Sequence, residues 1–139
     1  MIMTIATINS VIGVLSGMKI NKIVDKKVKT SLLNNYICLR RFAKEASEDR
    51  VNLVEKFKTD FADEIQVVAM LRHEEKPLDD HKEYLDAERD LDAAAEALLK
   101  KEVDAPVAPI AMDAFMSACD KEELTLEQIA ILEDAGLLE

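Results

Sequence analysis

Two histidines, His73 and His81, flank an acidic loop that carries Glu74, Glu75, Asp79 and Asp80. Imidazole and carboxylate side chains at both ends of a turn are the donor set of a divalent transition metal. Their spacing fits no helical ligand motif, because two ligands on one helix face stand three or four residues apart. The residues therefore read as a solvated connector whose side chains cap helices, and no metal ligand is assigned. Cys38 and Cys119 are far apart and neither has a histidine beside it. They read as small buried hydrophobes, reduced thiols in a cytosolic setting, rather than nucleophiles. The sequence GVLSG at 13–17 lacks the lysine and the preceding strand of a phosphate-binding loop. Ser10, Ser16 and Ser31 have no local base. No catalytic residue and no cofactor is assigned, and the expectation is a protein that is not an enzyme.

The elements that would position any chemistry are helical. Of 139 residues, 49% are hydrophobic and only three are Gly and three Pro, which favours helix over a sandwich or barrel. This length suits a single domain, 1–139. Ile5, Ile8, Ile12, Leu15 and Met18 line one face of a short helix, 7–18. The same stretch lacks the basic start of a secretory signal. No apolar run approaches the roughly 20 residues of a membrane span.

A long stripe follows: Val28, Leu32, Tyr36, Leu39, Ala43, Ala46, then Leu53, Phe57, Phe61, Ile65 and Val68. It predicts a long helix over 24–73. An unbroken rod of that length would reach about 75 Å at 1.5 Å per residue, so a bend or break is expected in KEASEDR (44–50) or KTDFADE (58–64). The run VVAML (67–71) is readable as helix or strand. Pro77 ends this region, and Asp79 or Asp80 can cap a second helix, 81–101. Its inner face is Tyr84, Leu85, Leu91, Ala94, Ala95, Leu98 and Leu99. Two such helices joined by a short polar turn make an antiparallel hairpin.

Residues 103–112 change character. Two prolines exclude helix, and the alternating apolar residues suggest an extended segment that lies against the hairpin or pairs with another short strand, 2–6 or 67–71. Asp113 is placed to cap a short helix, 114–119. Thr125 with Gln128 forms a capping box for a last helix, 126–135, and Gly136 stands at its left-handed cap. The fold expected is mainly α: a long-helix hairpin, short N- and C-terminal helices and a minor β segment near 103–112.

Charge divides the chain. The first fifty residues hold nine Lys/Arg and four Asp/Glu, and the remaining 89 hold nine and 24, giving the net −10. That field disfavours nucleic acid as a partner. The cluster Lys19, Lys22, Lys26, Lys27 and Lys29 has no interleaved aromatic residue for stacking. The asymmetry reads by default as two solvated faces of one monomer, and it also suits self-association or a basic protein partner. The stripe from Leu32 to Val68 is also longer than helix 81–101 can cover, so its excess must meet the terminal helices or another chain. Leu39, Phe42, Phe57 and Phe61 are the candidate interface residues; their alternative is intrachain core.

The order of features carries a resemblance. INSVIGVLSGM, the linker KINKIVDKKVK, SLLNNYICLRRFAKEASEDRVNLVEKF, then ALLKKEVDAPVAPIAM and LTLEQIAILEDAGLLE follow one another. This pattern resembles a family of small uncharacterised proteins of tailed phages and prophages of gut bacteria. The likeness covers most of residues 7–139 and departs from the family at the connector 62–80. It implies an α-helical protein acting in the bacterial cytoplasm or associated with a virion, and it brings no established activity. The function expected is a non-enzymatic interaction or assembly module, an oligomer or the partner of another protein. The alternative is an acidic inhibitor of a host nucleic-acid-binding protein.

Overall fold

The computed structural model describes all residues, 1–139, and is mainly α-helical. Its contacts divide the chain into two compact units: Met1–Glu45 with Lys100–Glu139, and Ala46–Leu99.

The first unit opens with β1 (Ile2–Thr4), which runs directly into α1 (Ile5–Ser16). Thr4 makes that junction, its hydroxyl accepting from the Thr7 N–H and so satisfying a donor of the first helical turn. α1 buries Ile5, Ile8, Val11, Val14 and Leu15 and packs against α6 (Leu126–Asp134). β1 pairs antiparallel with β2 (Glu102–Asp104), Met3 opposite Val103. Of the two pairings expected for the extended segment, the N-terminal one forms; residues 67–71 are helical.

α2 (Lys26–Asp60) starts where Asp25 accepts from the N–H groups of Lys27 and Val28. Its buried row is Val28, Leu32, Asn35 and Leu39. Asn35 is the one buried polar residue. Its amide donates to the Ala108 carbonyl at 2.9 Å, and its oxygen accepts from the Ala108 N–H at 2.8 Å. A strand partner would do the same, so Asn35 pins the extended segment between Pro106 and Pro109, which the prolines keep out of any helix. Asn35→Ala leaves the two Ala108 groups without these partners and is expected to cost about 1–3 kcal/mol. Urea unfolding measures that loss; an unchanged midpoint would mean water replaces the amide at no cost.

α5 (Met112–Ala118) begins two residues earlier than the sequence pattern suggests, with Ala111 at its cap, so Asp113 lies inside the first turn. The Phe115 N–H reaches the Ala111 carbonyl, which closes that turn as soon as the chain clears Pro109. α6 carries both halves of the Thr125–Gln128 capping box. Beyond Ala135, Gly136 has φ +84°, and the N–H groups of Gly136 and Leu137 reach the carbonyls of Glu133 and Leu132. These two bonds form a Schellman stop, and the buried pair Leu132 and Leu137 supplies its apolar contact. Leu138 then bridges to Ile110.

The second unit is a helical hairpin built from the end of α2, α3 (Glu64–His73) and α4 (Lys82–Lys100). The helix expected over 24–73 breaks at 61–63, inside the polar run KTDFADE. α3 ends in a second Schellman stop, with Lys76 N–H to Leu71 carbonyl and Glu75 N–H to Arg72 carbonyl. Here the left-handed position is filled by Glu75, φ 56°, rather than glycine, at a cost on the order of 1 kcal/mol. Leu53, Leu85, Leu91 and Leu98 are half-buried, whereas Leu99, expected on the inner face, is 46% exposed at the end of α4. No helix is long and apolar enough to cross a membrane.

Candidate protein-interaction surface

Within residues 46–99 only Val68 and Tyr84 are buried. Tyr84 on α4 meets both Phe57 and Phe61, with ring centroids 5.3 and 5.5 Å away, and those two rings stand 5.3 Å apart. The Phe61–Tyr84 pair is edge-to-face, the favoured aromatic geometry. Phe57 and Phe61 thus hold the hairpin together and are themselves half-buried.

Two polar links reinforce these rings. Arg72 donates two bonds to the Glu88 carboxylate, at 3.0 and 2.6 Å, tying α3 to α4. The guanidinium holds the Glu88 carboxyl below the usual carboxylate range, while burial and then the Glu88 charge push the Tyr84 hydroxyl up. Because its folded value is depressed, Glu88 contributes stability above the ordinary carboxylate pKa, and that contribution is lost as pH falls through the folded value. His81 Nδ1 lies 3.0 Å from a Glu64 oxygen. His73 is exposed on α3, and no group of three or more His, Cys, Asp or Glu side chains is placed to hold a metal ion.

The four candidate interface residues separate. Leu39 is fully buried in the first unit, Phe42 is half-buried there, and Phe57 and Phe61 belong to the hairpin cluster. Other apolar residues face solvent: Val51, Val67, Met70 and Leu99 in the hairpin unit, and Leu33 and Ile37 on the first part of α2. The signal for Val67 and Met70 was their i,i+3 spacing on the side of α3 away from Val68. It was obscured because VVAML is apolar throughout.

Neither cysteine is in a disulfide. Cys119 lies in an open depression with Lys19, Lys22, Asp25 and Glu122. The Glu122 carboxylate accepts from the Lys19 backbone N–H, at 3.0 and 3.2 Å. Burial, then Glu122 and Asp120, push the Cys119 thiol up to about 11, so at neutral pH it is protonated and a poor nucleophile.

Charge follows the two units. Residues 46–99 hold seven Lys/Arg and sixteen Asp/Glu, net −9. The other unit holds eleven and twelve, net −1. The exposed Val51, Val67, Met70 and Leu99 therefore belong to the unit that holds most of the negative charge. No protein-family model matches this chain, and neither a curated protein nor a solved structure does.

Proposed function

We propose that this chain is a non-enzymatic interaction or assembly module acting through its helical hairpin. The observation that carries the reading is the hairpin's shallow core. Residues 46–99 bury two side chains and leave Val51, Val67, Met70 and Leu99 at 45% exposure or more. Contact with another protein would desolvate them at roughly 25 cal/mol per Å². The origin in a phage or prophage, and the place of action in the bacterial cytoplasm or on a virion, rest on the sequence resemblance alone. A photocrosslinking residue at Met70 is expected to give a discrete protein adduct in cells, while one at exposed Gly13 in the first unit gives none. Absence of adducts at 51, 67 and 70 would overturn the reading.

Segregation of net −9 into the hairpin unit favours a second reading, an acidic inhibitor that occupies the groove of a basic nucleic-acid-binding protein. Its adduct would be a basic host protein, released from the unlinked complex as salt rises.

A further inference from the structure

Between α2 and α3 stand Phe61, Ala62 and Asp63, which keep part of the helical pattern. The Phe61 N–H still reaches the Phe57 carbonyl and the Ile65 N–H the Phe61 carbonyl, both helical steps of four. The N–H groups of Ala62 and Asp63, two exposed residues, have no backbone partner, and that of Glu64 takes Phe61 in place of Asp60. Asp63 has right-handed helical angles, φ −81° and ψ −32°. No glycine or proline occurs from Met18 to Lys76, so nothing in the covalent chain enforces the break. What favours it locally is weak. Asp60 and Asp63 are poor helix formers, and the Thr59 hydroxyl donates to the Glu55 carbonyl at 2.9 Å, a back-bond that bends helices.

Few contacts hold α3 folded back. Val68 is its one buried side chain, Arg72 pairs with Glu88 on α4, and Glu64 meets His81 just before α4. The rings of Phe57, Phe61 and Tyr84, by contrast, join α2 and its end to α4 without α3. We infer that α3 is a flap hinged at 61–63, with a second, raised position in which α2 and α3 run as one helix while α4 stays on α2. Raising it gives the Ala62 and Asp63 N–H groups their helical acceptors, Lys58 and Thr59. It also sets Phe57, Phe61, Ile65 and Val68 within about 80° of one another on one helix face, at 100° per residue. The apolar spacing encodes that straight helix, and the structure shows the flap closed. The connector is long enough: α3 would end ~18 Å beyond Phe61, and residues 74–81, fully extended, reach on the order of 26 Å. Closed, the flap exposes Val67 and Met70 and covers Val68. Raised, it uncovers Val68, so its position controls which apolar row another protein meets.

As a control on the contact surface this rests on that reading of the hairpin; the motion itself does not. Spin labels carried by noncanonical residues at exposed Asn52 and His73 report it in the full chain, with both cysteines left in place. In one continuous helix their backbones stand ~32 Å apart, and the closed flap brings them nearer. Pulsed dipolar spectroscopy is expected to resolve both distances in the wild type. Arg72→Ala removes an ion pair that only the closed flap makes, and should raise the ratio of long to short distance up to about five-fold. Asp63→Pro should abolish the long distance. Its N–H is unused when the flap is closed, whereas a proline inside the continuous helix clashes with the preceding turn. A62G/D63G, which penalises the straight helix without fixing φ, should lower the long fraction as well. A single distance in wild type and Arg72→Ala alike, or a long distance that survives both hinge variants, overturns the inference. Met70 crosslinks that persist in a chain with a single distance would keep the contact surface and remove its control.

Discussion

Leu39→Ala is expected to lower the unfolding free energy by about 2–5 kcal/mol, the range for deleting a buried leucine side chain. Leu39 is 0% exposed and closes the buried row Val28, Leu32, Asn35, Leu39 along α2. Removing its isopropyl group forfeits transfer energy and leaves a cavity lined by atoms that lose their contacts. Ile37→Ala, two residues away on the solvent side, should change stability by less than about 0.5 kcal/mol. The comparison separates core from interface. A core leucine lowers the urea midpoint by the same amount at every protein concentration, whereas a residue buried only between copies loses its effect on dilution. A concentration-dependent Leu39 effect, or an Ile37 effect equal to it, would return Leu39 to the contact surface.

Leu39 also marks where sequence pattern stops being decisive. α2 bears two apolar rows, one through Val28, Leu32 and Leu39 and another through Leu33 and Ile37. Both have helical spacing, so periodicity identifies the helix, and tertiary packing selects the row that faces inward. Caps were legible because their chemistry is local: Thr125 with Gln128, Gly136 after the last turn, and Pro77 beyond α3 act on neighbours within a few residues. Asn35 was not legible. It reads as an ordinary polar helix residue until Ala108, 73 positions away, is brought to it. The β1–β2 pairing lies between these cases, since Pro106 and Pro109 announce an extended segment and the partner strand has to be chosen among apolar stretches. For the candidate surface, the charge imbalance was plain in the sequence. Its confinement to the hairpin unit became visible only once residues 100–139, themselves acidic, were seen to pack in the same unit as the basic residues of 1–45.

Tyr84→Ala is expected to unfold the hairpin while the first unit persists. Tyr84 is 5% exposed and is one of the two buried side chains of residues 46–99. Truncating a buried aromatic ring costs about 3–5 kcal/mol, and Phe57 and Phe61 lose their shared partner at the same time. The polar links that remain are the Arg72–Glu88 pair, whose side chains are 45% and 31% exposed, and the His81–Glu64 contact, 20% and 41% exposed. Surface pairs of this kind contribute roughly 0.2–1 kcal/mol, too little to replace the ring. Hydrogen exchange should show peptides from 53–73 and 82–98 losing protection, with 5–16 and 126–134 keeping theirs. Tyr84→Phe keeps the ring contacts and removes only the hydroxyl, so it should retain hairpin protection and shift the urea midpoint far less. Unchanged protection in the alanine variant would place the hairpin's cohesion in Val68 and the half-buried leucines instead. If α3 and α4 separate in the alanine variant, crosslinking from Met70 should vanish with them, because a docking face exists only while its helices are held in register.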